Sequence, residues 1–196
     1  MTSSNQSNKN LVQILHQFSE QYITDYQQTH ACLPTVEQDE EWPSPCEQGA
    51  TEKNPSPEGE VYWQPMAIEK SEELSFENVE SALDLTLHND IKTYFTLFYS
   101  ESLDARCDEG ELSLLFAWNK KDFERLQENL IGHILMKRRL KQKETIFFAV
   151  TDEEDMIISV DNASGAVWVE RVGCKPHKQL SDSLTQFISQ LTPVIK

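Results

Sequence analysis

Between Thr145 and Val172 three apolar runs, "TIFFAV", "MIISV" and "AVWVERV", follow one another with only "TDEED" and "DNASG" between them. Runs rich in Val, Ile and Phe at this length read as buried strands. The last two predict a β-hairpin, with Gly165 supplying the positive φ that such a turn needs. A chain committed to this unit builds a mostly antiparallel sheet, and its helices have to cover that sheet.

The helices are legible as apolar stripes. Leu11, Ile14, Leu15, Phe18, Tyr22 and Tyr26 recur at three- and four-residue steps and predict a helix over Asn10–Thr29. "SFENVESALDL" predicts another, with Ser75 at the cap and Asn78 where Glu or Gln is preferred. "NDIKTYFTLFY" reads as helical with Asn89 or Asp90 capping it, although its Thr, Tyr and Phe equally suit a strand. "ELSLLFAW" is expected as a strand, and "VYWQPM" as a short one that Pro65 confines to an edge or a strand end. "HKQLSDSLTQFISQL" is expected as a closing helix with Leu180, Leu184, Phe187, Ile188 and Leu191 inward. The expected architecture is one α+β domain over residues 1–196, a central, mostly antiparallel sheet with helices packed against it.

Charge narrows the function. The formal net charge is −16, and residues 1–74 alone contribute −10. Such a chain is repelled by nucleic acid and anionic lipid, so basic protein surfaces are the favoured partners. Residues 34–60 hold five of the eight prolines and eight acids against one lysine, which predicts a long, partly mobile acidic loop. Within it, "WPSPC" is expected to pin the loop to the body through Trp42. The first ten residues are polar and no apolar run approaches the ~20 residues of a membrane span, so a soluble, cytoplasmic protein is expected.

The stretch "RLQENLIGHILMKRRLKQK" adds a long helix whose core face is Phe123, Leu126, Leu130, Ile131 and Ile134. Gly132 lies on nearly the opposite side, where a glycine costs roughly 1 kcal/mol against alanine. Something is expected to approach the backbone there, either a neighbouring element of the same chain or a partner. His133 is expected as a hydrogen-bonded boundary residue, and the basic run Lys137–Lys143 as helix-end electrostatics or internal pairing.

Enzyme signatures are missing from the sequence: no glycine-rich phosphate loop, no nucleophile elbow, no metal-ligand spacing. Cys32, Cys46, Cys107 and Cys174 are scattered and read as free thiols. A non-catalytic protein with no metal and no cofactor is expected.

Several segments resemble the bacterial family of SecY-interacting protein Syd: "WPSPC" at 42–46, "VYWQP" at 61–65, "FERLQENLIGH" at 123–133, "RLK" at 139–141 and "ISVDNASGAV" at 158–167. The resemblance implies a fold of the SUKH superfamily, loosely held at the cytoplasmic side of the inner membrane by a protein partner. It implies binding to basic cytoplasmic loops of the SecY channel subunit by a concave acidic surface, and a checking or negatively regulating role. Candidate partner-binding acids are Glu101, Asp104, Asp108, Glu109, Glu111 and Glu128, with Asp152, Glu153, Glu154 and Asp155 as a second group. Trp42, Trp63, Asn129 and Gly132 are motif residues, with structural support put first for Trp63 and Gly132. An immunity-type protein that neutralises a basic toxin or nuclease is the alternative within the same superfamily.

Overall fold

Helix α1 (Thr2–His30) buries the stripe Leu11, Leu15, Phe18 and Tyr22 against the rest of the chain. The computed structural model that shows this describes residues 2–49, 56–69, 71–72 and 74–196, with side chains from residue 10 onward. Ala31, at φ 60°, stops the helix in the left-handed conformation, and its N–H donates to the Gln27 carbonyl.

Strands β1 (Thr35–Glu37), β2 (Glu47–Gln48) and β3 (Glu60–Trp63) come next and pair antiparallel in the order β1-β3-β2. The acidic segment, expected as a loop, therefore carries two strands. Ladder bonds join main-chain groups, so they do not require the apolar side chains that this segment lacks. Residues 50–55 of the segment lie outside the described residues. Pro65 follows the end of β3, where its missing N–H removes no ladder bond.

Strand β4 (Met66–Ala67) pairs with β5 (Phe98–Tyr99), and helices α2 (Glu77–Leu83) and α3 (Asn89–Phe95) lie between them in sequence. The caps differ from those expected. Phe76 is the N-cap of α2 and makes no side-chain bond, while the Ser75 carbonyl accepts from Gln127. His88 caps α3, its Nδ1 accepting from the Asp90 N–H.

The remaining elements are β6 (Leu103–Cys107), β7 (Gly110–Leu114), α4 (Lys120–Arg139), β8 (Thr145–Thr151), β9 (Met156–Asp161), β10 (Val167–Arg171), β11 (Lys178–Ser181), α5 (Leu184–Ser189) and β12 (Thr192–Pro193). They place seven strands in one sheet, β11-β10-β9-β8-β7-β6-β12, with every pair antiparallel. The fold is α+β, as expected. The closing helix is shorter than its apolar stripe suggested. Residues 178–181 add a strand to β10, and the Ser183 side chain then caps a helix that ends at Ser189. Leu184, Phe187, Ile188 and Leu191 are buried nonetheless, and Leu180 is half-buried.

The hairpin turn has the expected glycine and a second task. Gly165 sits at φ 79°, and a Cβ there would lie 2.7 Å from the His88 ring. Asp161 Oδ1 accepts from the Ala163 and Ser164 N–H groups, closing the turn. Asn162 accepts from the His88 N–H at 2.8 Å and donates to the Thr86 carbonyl. The turn thereby clamps the link between α2 and α3.

Strand β8 is covered on both faces. Phe148 meets Tyr94 of α3 and Phe187 of α5, while Phe147 stacks edge-on against His133 of α4. Between α4 and the sheet runs a sealed polar chain. Lys137 Nζ, fully buried, donates to Glu170 Oε2 at 2.6 Å and to the Cys174 carbonyl at 3.1 Å. Thr145 Oγ1 donates to Glu170 Oε1 at 2.6 Å. Its single proton is thus used, so His133 Nε2, 3.2 Å from that oxygen, is the donor of the pair. Burial, opposed only in part by Glu170, pushes the His133 pKa down and keeps the ring neutral.

Two outcomes follow. Lys137→Met leaves Glu170 charged, buried and without its cation, and should cost about 3–5 kcal/mol. Lys137→Met/Glu170→Gln should recover most of that loss in urea unfolding. His133 takes up its proton more readily unfolded, with a pKa near 6.5, than folded, so it contributes a loss of stability as pH falls below about 6.5. Urea midpoints at pH 7.5 and 5.5 should therefore diverge less in His133→Gln than in the natural protein.

Candidate functional site

The acids at residues 101–111 do not form one patch. In β6 and β7 alternate residues face opposite ways, and Leu103, Ala105, Leu112 and Leu114 take the buried side. Asp104 pairs across the ladder with Ser113, whose hydroxyl donates to it, and also holds Lys196 Nζ at 2.9 Å. Glu111 bonds its cross-strand neighbour Arg106. Glu101 is half-buried, and burial followed by the charge of Asp122 raises its pKa. Its carboxyl is thus less readily ionised than an exposed one.

Asp108 and Glu109 form the exposed turn of the β6–β7 hairpin. Asp152, Glu153, Glu154 and Asp155 form the exposed β8–β9 turn, with Asp155 at φ 66°. The antiparallel order brings these two turns to the same end of the sheet. A cleft of about 260 Å³ opens there, lined by Glu109, Glu111, Asp152 and Glu153. Leu112, Met156, Ile158, Val169 and Leu180 give it an apolar lining. His177 and Lys178 line it as well, and the Lys178 ammonium reaches across to Glu109. That ion pair is half-exposed, so a competing cation can displace it at little cost. The arrangement suits an extended basic segment, with carboxylates for its charges and an apolar lining for its side-chain stems.

Glu128 stands apart. It lines a second cleft, with Leu74, Asn78, Glu124 and Ile131, between α4 and the start of α2. Asn129 is exposed one residue further on. Outside the helix itself, no heavy atom of the described residues lies within 4 Å of a Cβ built on Gly132, so no described neighbouring element presses on that backbone. His133 lies in the sealed chain between α4 and the sheet, with a side chain 7% exposed. Among the described residues no group of three His, Cys, Asp or Glu side chains is placed to hold a metal ion, and the described cysteines are free thiols.

The motif tryptophans belong to a strap. Asn119 caps α4 by accepting from the Asp122 N–H, and Asp122 returns the bond by accepting from the Trp118 N–H. The same Asn119 donates to the Pro43 carbonyl at 2.9 Å, and Trp118 Nε1 donates to the Trp42 carbonyl. Ser44 Oγ donates to the Trp118 carbonyl. The Arg125 guanidinium lies 4.0 Å from the centre of the Trp42 ring. Trp63, 4% exposed, meets Trp118 edge-on at 6.3 Å. "WPSPC" is thereby bound to the first turn of α4. The charge count alone pointed to loops; the Ser, Asn and carbonyl pairings behind this strap have no periodic signal in sequence.

Comparison with known proteins matches the family described as Syd protein (SUKH-2) over residues 12–193. The chain is 61% identical to Protein Syd of Colwellia psychrerythraea, covering 98% of this chain and 96% of that protein. It is 50% identical to Protein Syd of Alteromonas mediterranea over 80% of this chain and 83% of that one. Identity to Protein Syd of Pseudoalteromonas atlantica is 46%, with 84% and 86% covered.

Proposed function

Since this chain belongs to the Syd family, we propose that it is a non-catalytic acidic protein that binds basic cytoplasmic loops of SecY, the channel subunit of the protein translocation machinery. The observation that carries this reading is the cleft at the end of the sheet, where Glu109, Glu111, Asp152 and Glu153 line an apolar trough. Asp108, Glu154 and Asp155 extend its negative field into solvent. Glu101 and Asp104 contribute less, the first through its raised pKa and the second through its internal partners.

Membrane proteins concentrate Lys and Arg in their cytoplasmic loops. A domain of net charge −16 is steered towards those loops and repelled by the anionic lipid around them. No helix among the described residues is long and apolar enough to cross a membrane. Association with the cytoplasmic side of the inner membrane then runs through the channel itself, and occupation of its loops checks access to the translocon.

The test is binding to purified SecY-containing channel in lipid nanodiscs against empty anionic nanodiscs, at low and high salt. Channel-only, salt-sensitive binding is expected. Glu109→Lys/Asp152→Lys/Glu153→Lys should slow association at low salt by roughly tenfold or more and change dissociation less. Reversal of Glu20, exposed on α1, should leave the rate nearly unchanged. An unchanged association rate in the folded triple variant would remove the cleft as the contact. Absence of binding at low salt would remove the channel as the partner.

A further inference from the structure

One face of α4 has no use within the fold. Glu124, Glu128, Gly132, Leu135 and Arg139 fall within about 80° of one another around a helix of 3.6 residues per turn, and all five are exposed. None of the three charged residues enters an ion pair among the described residues. Leu135, 51% exposed, heads the large apolar side chains left open to solvent. Gly132 has open space above it, so internal packing does not account for a glycine that weakens the helix by roughly 1 kcal/mol.

The stripe is complementary to itself when reversed. Set two copies of α4 antiparallel, with a two-fold axis passing between His133 and Ile134. Leu135 of each copy then lies over Gly132 of the other, a side chain seated on bare backbone. Glu128 of each lies opposite Arg139 of the other. A parallel pair would instead set Glu128 against Glu128 and Arg139 against Arg139. Charge and shape therefore choose the same arrangement, an isologous contact in which each half supplies what the other lacks.

We propose that this face is a self-association surface and that its occupant is a second copy of this chain, paired antiparallel through α4. One helix pair buries less than the roughly 1,200 Å² of a standard stable interface, so the dimer is weak and reversible. The surface is separate from the cleft at the β6–β7 and β8–β9 turns, and the inference does not rest on the reading of that cleft.

Sedimentation equilibrium of the full chain from micromolar to near-millimolar concentration tests it. A reversible monomer–dimer equilibrium is expected. Glu128→Lys and Arg139→Glu should each weaken it by roughly tenfold or more, because each places like charges together twice per dimer. The combined Glu128→Lys/Arg139→Glu chain should associate almost as the natural one does, since the pair is restored with its signs exchanged. The Cβ of Gly132→Leu meets no described neighbouring element within 4 Å in one copy, so the variant should fold and lose the dimer by filling the seat. Far-UV circular dichroism and urea midpoints report folding for every variant. A monomer at all concentrations would overturn the proposal, as would a dimer indifferent to both single reversals, or a double reversal that fails to restore association.

Discussion

Lys137 and Glu170 are charges that cannot leave each other. Both side chains are sealed from water, one on α4 and one on β10, and both carboxylate oxygens of Glu170 accept a hydrogen bond, from Lys137 and from Thr145. Such a pair adds little net stability over an apolar one, because desolvation consumes most of the attraction. What it supplies is position. A helix sliding one turn along the sheet would strand an ammonium and a carboxylate apart in the interior. Apolar faces alone tolerate such a slide far better. Once α4 is placed, Asn119 at its start is placed too, and with it the strap through Pro43 and Ser44 and the edge of the small sheet.

How much of this is legible in sequence depends on whether the signal is local. The β9–β10 hairpin is, because two apolar runs and the glycine of the turn between them are all adjacent in the chain. So is the core face of α4, whose Phe123, Leu130 and Ile134 are buried. Helix ends are less so: Ser75 has the right chemistry for a cap, yet the His88 ring caps the next helix. Strands β1, β2, β11 and β12 escape notice because main-chain pairing makes them, and no pattern of side chains announces it.

The candidate site was legible in kind but not in arrangement. Net charge pointed to a basic partner, and Glu109, Glu111, Asp152 and Glu153 line one cleft at one end of the sheet. Consecutive numbering hid the alternation that turns Asp104 away to Ser113 and Lys196. The basic run after Met136 looks uniform in sequence, yet Lys137 is interior, Arg138 is tied to Glu144 and to the Leu83 carbonyl, and Arg139 is left open. One turn of helix separates these environments, and composition cannot resolve them.

The first helix has a further consequence for how the protein is made. Its buried stripe packs on α3, on α5 and beside β12. In a chain emerging from the ribosome, the partners that α1 finds in α5 and β12 therefore arrive last, long after α3. The same late residues pair with β6 and cover that edge of the main sheet. The contacts that join the two ends of the chain span most of its length, and contacts between such distant residues form slowly. During that wait an amphipathic helix and an open strand edge are both accessible. Surfaces that the finished molecule conceals are thereby open to association while the chain is still being made.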